Sequence, residues 1–421
     1  MERQACVVRL PGANNYALIS EGRIAFGLGA TEDELEILLT EEKAIKEDVV
    51  LVDGETVSAK VASISLIPTF DCNLRCLYCY ARGGDTKEYL SLEKAKVAIR
   101  SVGISEGFDR LNLYLVGGGE PFMNFELIQE SVAFAEGLYK SVGIYVVTNG
   151  TFGDRVLSWL IKHDVNTRVS YDGVMQDADR PYADGLPSSP VIRNNIERLI
   201  EAGISTIVQC VVTQEGLSYL IQTIQQIQKL GVEVIKLEPV IPTGISRDCR
   251  GLVPNPLSYS KALLGAIDFV SEHDLKIKID TGFFSKPSTG FYCGISNPNR
   301  IITPHGLVTA CVEIARSTDP YAEYLIYGEV SRTGLVLDNF KAGRFKELRF
   351  ENYGICGTCN LRLICQGGCP MANIWKTGLP PKQSVFTCAV EHALLPPLLL
   401  KLATNPRVAD IILDEAEVAV C

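Results

Sequence analysis

The chain has 421 residues, 47% of them apolar and 21% charged, a balance that supplies a sizeable core and lacks the polar, highly charged bias of disorder. At that length a large domain with a smaller appendage is expected rather than a single core. The formal net charge of −10 argues against a nucleic-acid partner, because phosphates are neutralised by concentrated Lys and Arg.

Residues 1–60 read as an N-terminal segment of unassigned role, with strand-like pieces at 5–10 and 49–52 and an acidic helical stretch at 31–47. From there to residue 245 short β-branched runs alternate with longer amphipathic segments. The strands are expected at 61–67, 111–116, 144–148, 167–171, 206–213 and 232–239, and the helices at 92–102, 125–142, 155–163, 191–202 and 220–230. Six strands joined by crossover helices imply an α/β fold with a parallel sheet, open or closed into a partial (β/α)6 barrel. A bridging helical region follows at 246–284, with its helix at 257–272. A Gly-, Pro- and Cys-rich domain spans 285–395, and 396–421 is a C-terminal tail.

No stretch reaches the roughly 18 uncharged apolar residues of a spanning helix, and the strongest candidate, 393–400, is interrupted by Pro396 and Pro397. The opening residues lack the basic-then-apolar order of a signal peptide. A cytoplasmic location with no membrane partner is therefore expected. In that reduced compartment 14 cysteines at short spacings point to metal rather than to disulfides.

Directly after the first strand, Cys72, Cys76 and Cys79 lie on one tight loop, with no fourth cysteine nearby and no histidine before His163. A closed zinc site wants four Cys or His ligands. A cubane held by three thiolates instead leaves one iron open to a non-protein ligand. Further polar turns follow the next strands: Gly117-Gly118-Gly119-Glu120-Pro121, then Thr148-Asn149-Gly150, then Ser170-Tyr171-Asp172-Gly173 with Arg180 beyond it. Each alone reads as an ordinary turn. Their joint placement at the C-terminal ends of consecutive strands is where parallel α/β folds bind ligands.

The cysteine spacing, with aromatic Tyr78 before the last thiol, resembles the radical S-adenosylmethionine (SAM) superfamily. The resemblance implies a [4Fe-4S] cluster on Cys72, Cys76 and Cys79 whose open iron binds SAM and whose reduction cleaves it to a 5′-deoxyadenosyl radical. It implies that Gly118, Gly119 and Glu120 serve the SAM amino group, that Thr148, Asn149, Ser170 and Asp172 lie near the ribose, that Arg180 holds the carboxylate, and that Val212 flanks the adenine. A planar guanidinium suits the carboxylate role. Val212 reads equally well as a buried strand end.

The C-terminal region carries seven thiols: Cys293, Cys311, Cys356, Cys359, Cys365, Cys369 and Cys388. Their spacing resembles the SPASM domain of radical SAM enzymes that modify peptides. That resemblance implies two auxiliary [4Fe-4S] clusters, one on Cys293, Cys311 and Cys369 and the other on Cys356, Cys359, Cys365 and Cys388. The first lacks an upstream fourth cysteine nearer than Cys249, which leaves an open iron or a more distant ligand as alternatives. Where the sulfatase-maturing branch has an aspartate base this chain has Val312, and Glu313 one residue later is the candidate catalytic base, with His305 a second. Cys6, Cys210 and Cys421 read as ordinary packed or terminal residues.

The resemblance implies a maturase that oxidatively modifies a ribosomally made peptide or protein, forming a crosslink such as a thioether or carbon-carbon bond, with flavodoxin or ferredoxin as reductant. A radical enzyme acting on a small molecule such as a tetrapyrrole side chain, and a non-catalytic iron-sulfur electron-transfer scaffold, are the alternatives. Residues 1–60 are short for a leader-binding winged helix.

Overall fold

The computed structural model describes residues 5–12, 15–20, 23–28, 48–50, 61–103, 107–241, 243, 251–282, 291–296 and 300–412. The expected helix at 31–47, Cys249 and Cys421 lie outside the described residues. The N-terminal strands β1 (Ala5–Arg9), β2 (Asn15–Ser20), β3 (Arg23–Leu28) and β4 (Asp48–Val50) form a four-stranded antiparallel sheet. Its apolar face, with Cys6, Val8, Ala17, Ile19 and Ile24, is buried. The sheet touches the helices Arg362–Cys365 and Val385–Thr404, so the N-terminal segment docks against the cysteine-rich region.

The six expected parallel strands are β5 (Val61–Leu66), β6 (Arg110–Leu115), β7 (Ser141–Thr148), β8 (Asn166–Ser170), β9 (Thr206–Val212) and β10 (Val234–Pro239), adjacent in chain order. The sheet does not stop there: β11 (Lys278–Asp280) adds a seventh parallel strand beside β10, and β12 (Ile301–Ile302) pairs parallel with β5. Antiparallel β13 (Leu307–Thr309), β14 (Ile326–Val330) and β15 (Leu335–Leu337) then carry the same sheet into the C-terminal region. The helix expected over 125–142 ends at Glu136, where Gly137 follows, and β7 begins at Ser141. Leu113, Leu115, Ile144, Val146, Val208, Ile235 and Leu237 pack against the covering helices, the period-2 burial of a sheet with one helix-covered face.

Two prolines do not interrupt the longest helix among the described residues. Val385–Thr404 runs through Pro396 and Pro397, capped by Ser384, whose side chain accepts a hydrogen bond from the Thr387 amide. An interior proline costs about 3 kcal/mol, but Leu394, Leu395, Leu398, Leu399 and Leu402 are buried here, each contributing roughly 1.5–3 kcal/mol. Burial therefore outweighs the missing backbone bonds. The helix is long and apolar enough by length and composition to cross a membrane; it lies against the helix Pro256–Glu272, where Asn255 provides the N-cap. It also crosses residue 396, so the expected tail begins inside a packed helix.

Candidate functional site

The loop after β5 carries Cys72, Cys76 and Cys79, each half-buried, and each sulfur has a donor. Asn149 Nδ2 lies 3.8 Å from Cys72 Sγ, Arg180 Nη1 3.9 Å from Cys76 Sγ, and the Gly83 amide 3.4 Å from Cys79 Sγ. Burial, with the Glu120 carboxylate adding to it, pushes the Cys72 thiol up to about 12, and burial raises Cys76 to about 11 against the pull of Arg180. Such thiols ionise only when a metal takes up the charge. Three sulfurs with hydrogen-bond donors already in place fit the thiolates of an iron-sulfur cluster. Arg75 clamps the loop, donating to the carbonyls of Cys72, Leu74 and Gly84 at 2.8, 2.9 and 3.1 Å.

The glycine turn after β6 braces this loop rather than leaving open space. A Cβ on Gly119 would stand 2.0 Å from the Asp71 carbonyl oxygen, and one on Gly118, at φ +69°, 2.6 Å from the Ile67 side chain. The Gly119 and Glu120 amides donate to the Thr69 and Asp71 carbonyls at 2.9 and 2.8 Å. The close approach those glycines permit is thus made by the cysteine loop's own backbone. Buried Glu120 then ties the next turn in, accepting from Thr148 Oγ1 at 2.7 Å and from the Asn149 amide at 2.6 Å. Desolvation lifts its carboxyl to about 7, partly countered by those bonds. Asn149 in turn donates to Asn73 Oδ1 at 2.8 Å.

At the end of β8, Asp172 is fully engaged. Its Oδ2 accepts from Arg180 Nε at 2.8 Å and from the Tyr78 hydroxyl, and its Oδ1 accepts from the Val211 amide at 2.9 Å. The guanidinium also lies 5.1 Å from the Tyr78 ring centroid. The geometry therefore gives Asp172 a positioning role toward Arg180 and Tyr78 rather than a hydroxyl-binding one, and the Nε side of Arg180 is committed to Asp172. Ser170 ends β8 half-buried, in register with Gln209. Val212 is a core residue, its carbonyl accepting from Val240, the plain strand end the sequence also allowed.

Burial first and then Cys359 and Cys388 push Cys356 up to about 11, burial and then Glu391, Cys356 and Cys359 raise Cys365, and burial and then Cys359 and Glu391 raise Cys388. Cys293 and Cys369 act on both Tyr292 and Tyr353, with Cys356 also acting on Tyr353, while Cys311 acts on Tyr80. Three thiols held up by burial and by their neighbours, with Cys359 acting on each of them, fit a shared metal centre better than independent residues. Among the described residues no three His, Cys, Asp or Glu side chains converge on a single-ion site, and a polynuclear cluster spreads its thiolates wider than one ion does.

Glu313 is enclosed beside this region. Trp375 Nε1 donates to its Oε2 at 3.2 Å, and burial lifts its carboxyl to about 7 against the hydrogen bonds of Trp375 and Thr243. Tyr80, which the sequence reading passed over, joins the two halves: its phenol, raised by burial, feels Cys79, Glu313 and Cys311 together, and its hydroxyl would meet a Cβ on Gly117 at 3.3 Å. Its place next to Cys79 was the available signal. His305 is elsewhere, with Nε2 2.9 Å from Glu88 Oε2 on the surface, so it is not brought to the site. Cys6 is buried beside Arg362 and Cys359, and Cys210 is a core residue.

Residues 66–247 match the radical SAM superfamily, so that stretch is similar to a radical SAM domain. An uncharacterized protein of Methanocaldococcus jannaschii is 30% identical over 196 residues, 46% of this chain; the match spans 66% of that relative's length. Among solved structures, native anSMEcpe with bound AdoMet superposes with a TM-score of 0.70 at 17% identity, covering 83% of this chain and all of that one. Streptococcus suis SuiB bound to precursor peptide SuiA gives 0.56 at 13% identity, covering 77% of this chain and 75% of that one. Both are likenesses of fold.

Proposed function

We propose that the chain is a radical SAM maturase that removes a hydrogen atom from a ribosomally made peptide or protein and completes a two-electron oxidation, forming a crosslink such as a thioether or carbon-carbon bond. The observation that carries this reading is the setting of Glu313, a half-buried carboxyl that bonds Trp375 and shares Tyr80 with both Cys79 and Cys311. When bound, the first cluster supplies the electron that cleaves SAM, and auxiliary clusters on the two C-terminal cysteine sets supply an acceptor for the electron left on the oxidised substrate. Glu313 takes the substrate proton, Trp375 orients its carboxyl, and Asp172 holds Arg180 against the Cys76 sulfur. The solved fold neighbours include anSMEcpe with a bound Cp18Cys peptide and SuiB with its precursor peptide, which favours a peptide over a small molecule here. A flavodoxin or ferredoxin in a reducing cytoplasm suits the electron demand.

Anaerobic reconstitution, reduction and SAM addition test the reading, with iron per chain, 5′-deoxyadenosine and modification of peptides from neighbouring reading frames as readouts. About twelve irons, deoxyadenosine and a peptide mass loss in steps of two hydrogens are expected. About four irons would remove the auxiliary clusters, and full iron without deoxyadenosine in the presence of every peptide would favour a scaffold.

A further inference from the structure

The inner face of the barrel is polar where the outer face is apolar. Along β9 and β10, Val208, Cys210, Ile235 and Leu237 are buried toward the helices, so the alternate positions Gln209, Lys236 and Glu238 face the interior. Gln209 and Lys236 are register partners, as are Val211 and Glu238. Glu238 is held from both sides: Gln209 Nε2 donates to its Oε2 at 2.6 Å and Lys236 Nζ lies 2.9 Å from its Oε1. The Glu238 side chain is 39% exposed and that of Lys236 18%, whereas Arg168 on β8 is 8% exposed with its Nε lacking a partner. Burial would raise the Glu238 carboxyl, but Lys236, Arg168 and Gln209 together hold it below the usual range. Tyr292, beside Cys293, feels the charge of Glu238. The Val211 amide bonds Asp172, so this cluster lies one strand from the Arg180 network.

We infer that Gln209, Lys236 and Glu238 form a substrate-positioning site inside the barrel that takes an amide group, a backbone peptide unit or side-chain carboxamide, of the residue from which hydrogen is removed. An anion would meet the Glu238 carboxylate, the most exposed of the three charges, and a cation would meet Lys236 and Arg168. An amide offers what both partners need: its N–H donates to Glu238 while its carbonyl accepts from Lys236. Neutral and bifunctional, it leaves the ion pair intact, so no charge is stranded in a confined space. The site rests on the peptide-modifying reading and narrows its chemistry to a group that every peptide carries.

The test uses the reconstituted full-length protein with SAM and three small probes: N-methylacetamide, acetate and methylammonium. Saturation-transfer NMR is expected to detect N-methylacetamide alone, with affinity weakened about tenfold in E238L and in K236M, as for loss of a hydrogen bond to a charged group. E238Q keeps an acceptor oxygen and is expected to retain most of the binding. Iron content and thermal melting of each variant separate a lost site from a lost fold. A second readout is the fraction of 5′-deoxyadenosine that gains deuterium from perdeuterated N-methylacetamide, where one deuterium atom moves to the 5′ carbon and the excess reductant quenches the probe radical. That fraction is independent of total yield and falls in E238L. Binding of acetate or methylammonium in place of the amide, or equal amide binding by wild type and E238L, overturns the assignment. Absence of deoxyadenosine from the wild type would refute the radical reading itself, while the NMR arm would still report on the site.

Discussion

The two cysteine regions are built in opposite ways. The first puts three thiols on one loop and fixes them with parts drawn from four strands' ends: Arg75 within the loop, the Gly119 and Glu120 backbone, Asn149 and Arg180. Every sulfur has a donor before any metal arrives. The second spreads its thiols from Cys293 to Cys388 and brings Cys293, Cys369 and Cys356 to the buried Tyr353. Its tight approach depends on Gly367, at φ +80°, where a Cβ would stand 2.7 Å from the Tyr353 ring. There burial raises Cys356, Cys365 and Cys388, and the Glu391 carboxylate and neighbouring thiols add to it at Cys365 and Cys388. A preorganised loop is suited to exchange a ligand on an open iron, while a crowded thiol set is suited to close around a metal and hold it.

Paired substitutions break this comparison most sharply. Cys72→Ala is expected to abolish deoxyadenosine formation and remove about four irons. Cys356→Ala is expected to remove a similar number of irons yet leave SAM cleavage within a few-fold of wild type, while modified product disappears. Chromatography of deoxyadenosine beside an iron assay reads both. Loss of SAM cleavage in Cys356→Ala to the level of Cys72→Ala would show that the two regions act as one unit.

The difference also explains what was legible in the sequence. The first cysteine set is local, so spacing alone exposed it, and the period-2 and helical patterns located all six strands of the barrel core. The roles of Asp172 and Gly119 were not legible, because their partners, Arg180 with Val211 and the Asp71 carbonyl, come from separate turns that only the fold brings together. Tyr80 and Glu238 were passed over for a related reason. A tyrosine after a cysteine and a glutamate in a strand are ordinary until the sheet curls them inward. The long helix was misjudged because its two prolines are visible locally, whereas the leucine burial that offsets them is not. Extension of the sheet by β11 and β12 was missed because strands of three and two residues carry almost no periodic signal.

The preorganisation of the first loop has a thermodynamic signature. Asp172 and Arg180 form a buried ion pair, with side chains 1% and 9% exposed. Asp172→Ala leaves the guanidinium without its carboxylate and is expected to cost about 3–5 kcal/mol, read as a fall in the denaturation midpoint of the cluster-free protein. A change under about 1 kcal/mol would mean that solvent reaches Arg180 and that the network is not a rigid brace.

A smaller and more diagnostic effect comes from Glu120. Its carboxyl is raised from 4.5 to about 7 in the folded protein, chiefly by burial. Below pH 4.5 the group is protonated in both states and contributes nothing to the pH dependence. Between there and about 7 the unfolded chain gives up its proton while the folded one keeps it, so stability falls as pH rises, by roughly 3 kcal/mol in total, and levels off above the folded value. Glu120→Gln carries no titrating proton and is expected to flatten that decline, as measured by urea midpoints of the cluster-free protein across pH 4 to about 8. The ionised carboxylate that wild type carries above that range is the form to which the Thr148 hydroxyl and the Asn149 amide donate. The turn that braces the cysteine loop therefore holds a charge at a cost in stability. If the decline persists in Glu120→Gln, the burial of Glu120 is not what limits the loop, and the contrast between a prebuilt first cysteine site and the second one loses its energetic basis.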